Sequence, residues 1–252
     1  MSDKPVSVLV TRPEDQAAGW VAAIESRGWQ AVVFPTLAIC PLKLTPELRQ
    51  RVLDLDRYQG VICVSANAAR LGLSLLSDYW PQWPVRQDWY AVGPATAEVM
   101  ADYQLPVKVP GRHDSEGVLD FPRLQAVAEQ RFLVLKGAGG RDAIQRELQR
   151  RGALVDELPL YEREMPDTDL DIFQTWFRAD VQHYVAISSG DGLKNFLGMV
   201  GSQVKEICQL PLVVVSERLG KFARDQGFTR VLVAQGASGE ALAEAISAVE
   251  QA

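Results

Sequence analysis

The sequence predicts an α/β protein of two similar lobes, each with a parallel five-stranded sheet flanked by helices. The first observation is an internal repeat, because residues 8–37 align without a gap on residues 132–161, an offset of 124. The same offset places the strand, turn and helix that begin at Val61 on those that begin at Val185. The second observation is that apolar strand-like runs alternate with helical patterns along the whole chain, which is typical of parallel sheets with right-handed crossovers. Two similar lobes in turn predict a cleft between them.

The first repeated segment contains two strands around a helix. The run SVLV predicts a strand, and Thr11 to Glu14 has the pattern of a capping box with Pro13 in the first turn. A helix of about four turns is therefore expected to reach Arg27. Gly28 ends it, and AVVF predicts the next strand.

The rest of each half follows the same alternation. The run GVICV predicts a strand that ends in a turn at Ser65, followed by a helix, and WYAV predicts a strand before a helix opened by Gly93 and Pro94. Because the halves repeat, the strands can combine in two ways. Either each half of the chain forms one lobe, or the two ends of the chain share one lobe and the proline-bounded stretches 35–41 and 159–166 cross between lobes. The pattern alone allows both.

Composition restricts the class of protein. Of the 252 residues, 47% are hydrophobic and 23% charged, and the net charge is −6. An acidic body disfavours nucleic-acid and anionic-membrane partners. No signal peptide or membrane span is recognisable, and Cys40, Cys63 and Cys208 lack paired spacing, so we expect a cytoplasmic protein. No extended apolar stripe is left over once both lobes are built, which favours a monomer.

Candidate functional residues follow the strands, because ligands of parallel sheets bind at the carboxyl ends of strands and at helix N-termini. The loops that connect strand ends to the following helices contain mainly hydroxyls, amides, glycines and single cations. Such groups suit the binding of several oxyanions without a metal. Each one taken singly is also explained as a helix cap. The candidates for substrate binding are Thr11, Arg12, Ser65, Asn67, Gly93, Thr96, Lys136, Gly137, Arg141, Ser188, Ser189, Ser216 and Arg218.

Other site chemistries find little support. The run GAGGRD is similar to a dinucleotide fingerprint, but Asp142 occupies its last glycine position and no acidic residue ends the next strand. His113 and His183 stand alone, which disfavours a histidine metal site or a catalytic triad. A two-lobed ligand-binding module and a nucleotide-dependent transferase remain as alternatives. The first lacks a secretion signal or DNA-binding segment, and the second lacks a convincing phosphate loop.

Several motifs together resemble uroporphyrinogen-III synthase over essentially the whole chain. They are Thr-Arg-Pro after the first strand, VSANA, AVGPAT, KGAGGRDAIQRELQRRGALVDELPLYERE and the SGDGL segment. The resemblance implies an enzyme without a cofactor that cyclises hydroxymethylbilane, a linear tetrapyrrole, to uroporphyrinogen III. Water is lost and ring D is inverted through a spiro-pyrrolenine intermediate. A transient hand-over of the substrate from hydroxymethylbilane synthase is a further expectation.

The resemblance also implies the exchanged arrangement of lobes. Lobe one is then 1–35 with 166–252, lobe two is 42–158, and the connector strands are 36–41 and 159–165. This family's fold has two α/β lobes joined by such a two-stranded connector.

By the same resemblance, Tyr161 is the catalytic residue. Its counterpart in the first repeat is Leu37, so the duplicated fold does not itself require a hydroxyl there. We expect Tyr161 to hydrogen-bond or protonate the departing substrate hydroxyl. The alternative is a tyrosine that only packs, with its hydroxyl in water. Recognition of eight substrate carboxylates by an acidic protein would be local, with Arg12, Lys136, Arg141 and Arg218 as the cations.

Overall fold

Eleven strands and eleven helices form within the part of the chain that the computed structural model describes, residues 4–140 and 142–250. The strands, in chain order, are β1 (Val6–Val10), β2 (Gln30–Val33), β3 (Ala38–Pro41), β4 (Gly60–Cys63), β5 (Asp88–Ala91), β6 (Val107–Lys108), β7 (Arg131–Gly137), β8 (Leu154–Glu164), β9 (Gln182–Ile187), β10 (Leu212–Val214) and β11 (Val231–Val233).

The helices alternate with these strands through most of the chain. In chain order they are α1 (Ala18–Glu25), α2 (Pro46–Leu53), α3 (Ala66–Tyr79), α4 (Pro94–Ala101), α5 (Ser115–Leu119), α6 (Ala143–Arg150), α7 (Leu170–Arg178), α8 (Gly190–Val200), α9 (Val204–Ile207), α10 (Glu217–Asp225) and α11 (Gly239–Glu250).

The first compact unit contains the residues up to Ala38 and those from Glu164 onward. Its sheet has the order β11-β10-β9-β1-β2, and all its strand pairs are parallel. Successive residues of β1 enter opposite cores, because side chains alternate across a strand: Leu9 packs with Phe173 and Phe196, whereas Val8 packs with Trp20. Both faces of the sheet are therefore buried, as in other parallel sheets.

The second unit is continuous and runs from Ile39 to Arg163. Its sheet has the order β3-β8-β7-β4-β5-β6. The pairs from β8 to β6 are parallel, so the five predicted parallel strands are present. A sixth strand, β3, is added at the edge. It pairs with β8, which continues to Glu164, beyond the end of its parallel neighbour β7. Just after β3, Leu42 N–H donates to the Leu160 carbonyl at 2.9 Å.

Strands from the two ends of the chain share the first sheet. Val8 of β1 lies opposite both Ala31 of β2 and Tyr184 of β9, while β7 lies between β8 and β4. This is the exchanged arrangement, in which each sheet combines one repeat's strand–helix–strand segment with the later strands of the other. The chain passes between units at residues 38–39 and 163–164.

The first helix begins later than the capping-box pattern predicted. Pro13 is extended, with ψ of 140°, so a helix cannot start there; residues 14–16 form one 3-10 turn, and α1 begins only at Ala18. Thr11 Oγ1 instead donates to the Ala186 carbonyl at 2.8 Å. The hydroxyl therefore ties β1 to β9 rather than capping a helix.

None of the helices in the described residues is long and apolar enough to cross a membrane.

Candidate active site

The centre of the candidate site is a hydroxyl pair in the second unit, at the carboxyl edge of its sheet. Ser65 follows β4 and caps α3, where its Oγ accepts a hydrogen bond from the Ala68 N–H at 3.1 Å. The same oxygen lies 3.0 Å from the hydroxyl of Tyr161, which β8 presents from two strands away. The fold thus brings together two residues that are 96 positions apart in sequence.

Tyr161 is held tightly on its backbone and its ring. Its carbonyl accepts from Ala138 N–H at 2.6 Å, and a register shift after Lys136 places Gly137 opposite it. A Cβ on Gly137 would lie 2.8 Å from two ring carbons of Tyr161, so the ring needs a glycine at this position. The side chain is fully buried. The hydroxyl is therefore shielded from water, and the choice between a packing tyrosine and a catalytic one stays a prediction.

Arg163 is a site residue that the sequence analysis missed. Its Nη2 donates to the Tyr161 hydroxyl at 3.3 Å, and its guanidinium carbon lies 5.5 Å from the centre of the Tyr161 ring. The missed signal was the spacing of two on an extended strand, since residues i and i+2 share a face. The tyrosine hydroxyl therefore has a serine hydroxyl and a cation as neighbours.

Lys136 has its charge satisfied inside the second unit. Its ammonium lies 2.8 Å from Asp142 and 2.8 Å from Glu157, and the lysine side chain is only 9% exposed. Burial lowers the pKa of Lys136, but the hydrogen bonds and charges of the two carboxylates outweigh burial and leave that pKa above its usual value. This pairing argues against Lys136 as a substrate-binding cation, because the substrate would have to displace both carboxylates.

Three further candidates of the second unit lie at strand-to-helix turns. Asn67 Oδ1 accepts from Arg70 at 2.9 Å in the first turn of α3. Gly93 precedes α4, and Thr96 is buried within its first turn. Arg141 lies outside the described residues. Across residues 4–140 and 142–250, no three His, Cys, Asp or Glu side chains are grouped to hold a metal ion.

The candidates of the first unit divide between structural bonds and helix caps. Arg12 stacks over Trp20, 5.0 Å from its ring centre, while Thr11 bonds the neighbouring strand as described. Ser188 and Ser189 follow β9, and Ser189 caps α8. Ser216 caps α10, whose first turn carries the exposed Arg218. The sheet topology therefore places all of them after strands, as predicted.

The repeat makes the Ser65–Tyr161 pair specific to one unit. Ser189 is the counterpart of Ser65 and caps its helix in the same way, with Gly192 N–H bonding Ser189 Oγ at 3.0 Å. The position equivalent to Tyr161 is Leu37, which is buried and has no hydroxyl. Helix capping is thus common to both units, whereas the hydroxyl pair is an addition to the second.

Comparison with known proteins identifies the family. The family model described as uroporphyrinogen-III synthase HemD matches residues 18–244, which is most of the chain. The chain belongs to the uroporphyrinogen-III synthase family. The uroporphyrinogen-III synthase of Escherichia coli K12 is 30% identical over 246 residues, covering 96% of this chain and 100% of the relative. That of Salmonella typhimurium LT2 is 29% identical, with the same coverage of both chains.

Solved structures agree with this family at the level of fold. A mutant uroporphyrinogen III synthase from the extremely thermophilic bacterium Thermus thermophilus superposes with a TM-score of 0.66 at 17% identity, covering 98% of this chain and 100% of the other. The uroporphyrinogen-III synthetase of Helicobacter pylori 26695 gives a TM-score of 0.59 at 14% identity, covering 96% and 99%. The two-lobed α/β fold with parallel sheets is therefore that of the uroporphyrinogen-III synthases.

Proposed function

We propose that this chain closes hydroxymethylbilane to uroporphyrinogen III with the Tyr161 hydroxyl assisting departure of the substrate hydroxyl. Family membership carries the reaction, because uroporphyrinogen-III synthases are cyclising lyases that invert ring D through a spiro-pyrrolenine and release water. The single observation that carries the role of Tyr161 is its 3.0 Å contact with Ser65 at the carboxyl edge of the second unit's sheet.

The hydrogen-bond partners of the Tyr161 hydroxyl are compatible with its acting as a proton donor to the substrate. A guanidinium only donates, so Tyr161 Oη accepts from Arg163. Ser65 Oγ already accepts from the Ala68 N–H, and its own proton is available for Tyr161 Oη. Either hydroxyl of this pair can be the donor, and when Ser65 donates, the phenol proton is left for a third group. A leaving hydroxyl of the substrate is a suitable acceptor.

The proton balance closes over the whole reaction. The substrate C–O bond breaks, the Tyr161 proton completes the water molecule, and the substrate is left as an azafulvenium cation. Ring D attacks the former hydroxymethyl carbon through its substituted α-carbon, which gives the spiro intermediate. The original bond from that α-carbon to the bridge carbon on ring C then breaks, and the free α-carbon of ring D bonds to this bridge carbon. Loss of the proton from that carbon restores the pyrrole, and this proton replaces the one that Tyr161 gave.

Most of the rate advantage must come from positioning the substrate. The pyrroles supply the electrons, and the unassisted closure already gives the uninverted isomer, so the protein has to favour attack by the substituted carbon. Support for carboxylate binding comes from the hydroxyl-capped N-termini of α3, α8 and α10, together with Arg12 and Arg218. We keep these contacts, and those of Asn67, Gly93 and Thr96, as predictions.

The test of this function is the isomer of the product. Hydroxymethylbilane is generated by its deaminase, the protein is added, and the oxidised uroporphyrins are separated by chromatography. We expect mainly isomer III. Isomer I alone, as in the unassisted reaction, would mean that this chain has the fold without the activity.

We also propose that the protein acts in the cytoplasm as a monomer and receives its substrate by transient hand-over from hydroxymethylbilane synthase. The lability of the linear substrate supports the hand-over, because every unprotected molecule can close to isomer I. A coupled assay with both enzymes should then yield less isomer I than is expected if all of the linear substrate is first released into solution.

A further inference from the structure

We propose that Arg163 is a positioning residue for the reaction, one that holds the Tyr161 hydroxyl with its oxygen toward the guanidinium and its proton turned away from Arg163. This inference rests on the proposed role of Tyr161. Arg163 combines two contacts with this one side chain, a 3.3 Å hydrogen bond to its hydroxyl and a 5.5 Å approach of the guanidinium to its ring.

The geometry of β8 accounts for the pairing. Tyr161 and Arg163 are two residues apart on one extended strand, so both side chains project from the same face. The tyrosine is buried and the arginine is exposed. The Tyr161 hydroxyl therefore contacts an exposed cation, Arg163, and also Ser65 at the N-terminus of α3.

The chemistry of the guanidinium excludes one direction for the phenol proton. Arginine has five N–H donors and no acceptor, so the phenol oxygen must use a lone pair toward Arg163. The positive charge also stabilises the negative charge that develops on this oxygen as its proton leaves. Without Arg163, the phenol proton can also turn to the side that the guanidinium now occupies, and the positive charge that assists its departure is lost.

A matched arginine–tyrosine pair exists elsewhere in the same unit. Arg49 Nε donates to the Tyr79 hydroxyl at 3.0 Å, and its guanidinium carbon lies 5.6 Å from the Tyr79 ring centre. This pair joins α2 to α3 and involves none of the candidate site residues. Arg49→Met therefore controls for the loss of such a pair in general.

The experiment compares Arg163→Met, Arg163→Lys and Arg49→Met with the unaltered protein, with kcat, KM and thermal unfolding measured for each. We expect kcat of Arg163→Met to fall about tenfold, because a hydrogen bond to a charged group is lost in the transition state, while KM changes little. Arg163→Lys, which retains a charged donor, should recover part of kcat. Arg49→Met should keep the original kcat.

A double variant separates orientation from substrate binding. In a Tyr161→Phe background the Arg163→Met change should have no further effect on kcat, because no hydroxyl is left to orient. Three results would overturn the inference. They are an unchanged kcat and KM in Arg163→Met, a higher KM at constant kcat in that variant, as expected for a substrate-carboxylate contact, and a kcat of the double variant that falls by the product of the two single effects. If Tyr161→Phe alone turned over normally, the proposed role of Tyr161 would fail instead, whatever Arg163→Met showed.

Discussion

At the scale of single residues, one hydroxyl does two tasks in this protein. Ser65 caps α3 through the Ala68 N–H and contacts the Tyr161 hydroxyl with the same oxygen. The counterpart Ser189 also caps a helix, and the residue at the position of Tyr161 in that unit is Leu37. The duplicated fold thus provides the cap, and a tyrosine in the last part of β8 adds a contact to it.

Replacement of Ser65 should separate the two tasks. Ser65→Ala should lower the free energy of unfolding by about 1 kcal/mol through loss of the cap. It should also lower kcat about tenfold, because the hydroxyl of Tyr161 loses one neighbour that orients it.

Ser238→Ala is the matched control, since Ser238 Oγ accepts from the Ala241 N–H at 3.2 Å at the start of α11. Denaturant titrations should show a similar loss of stability in both variants, with kcat reduced only in Ser65→Ala. Equal kcat values in the two variants would show that Ser65 is a cap and nothing more.

At the scale of elements, the glycine-rich loop after β7 is fixed at both of its ends. Lys136 pairs with Glu157 of the adjacent β8 and with Asp142, which precedes α6. Between them, Ala138 N–H bonds the Tyr161 carbonyl at 2.6 Å. The ion pairs therefore hold the loop against the strand that carries the candidate catalytic residue.

Lys136→Met should destabilise the protein by about 2 kcal/mol, because the variant removes the cation from Glu157 and leaves Asp142 with only the longer contact to Arg146, at 3.7 Å. The control is Lys108→Met, since Lys108 pairs with Asp88, which also binds Arg123. That change should cost less than about 1 kcal/mol. Equal losses in urea titrations of the two variants would count against a special role for the Lys136 ion pairs.

The ion pairs of α6 predict a dependence of stability on acid. Hydrogen bonds from Arg150 and then Arg151 lower the pKa of Glu147 to about 2 from its usual 4.5. Because the pKa is lower in the folded state, this carboxylate stabilises the protein above pH 4.5 and loses that effect as the pH falls toward 2.

The difference in unfolding free energy between the unaltered protein and Glu147→Gln should therefore shrink over that interval. Urea titrations at a series of pH values measure it. A difference that stayed constant from about pH 5 to about pH 2 would contradict this assignment.

Local patterns were sufficient to predict most elements and the order of the loops. The exception at the first helix is instructive, because Thr11, Pro13 and Glu14 satisfy a capping pattern that tertiary structure overrides. The Ala186 carbonyl of the neighbouring strand accepts a hydrogen bond from the Thr11 hydroxyl, and because Pro13 is extended, the α-helix begins only at Ala18. A local motif cannot show that a partner 175 positions away competes for the same group.

Site residues were harder to predict than elements, for a physical reason. Strand ends locate a loop, but they do not show whether a charge is already neutralised inside the unit, as it is for Lys136 with Glu157. The contact of Arg163 with Tyr161 likewise depends on side-chain direction along β8. Such facts depend on pairs of atoms, and a sequence pattern records only residue types and spacing.

At the scale of the whole molecule, the internal repeat explains both the likeness and the difference of the two units. The exchange of segments lets β1 pair with β9 and β7 with β4, so each sheet contains strands from separate parts of the chain. The family to which the chain belongs fixes the reaction. The residue that the second unit adds to the common fold, Tyr161, is where we place the chemistry.

The most direct test of that claim is the rate and isomer of product formed by Tyr161→Phe. The change removes one hydroxyl from a buried ring and should leave the fold intact, with at most about 1 kcal/mol lost in thermal or urea unfolding. We predict that formation of isomer III slows by about a hundredfold, as expected for loss of a general acid, while isomer I from the unassisted closure accumulates. A folded Tyr161→Phe protein that formed isomer III at the original rate would contradict the account.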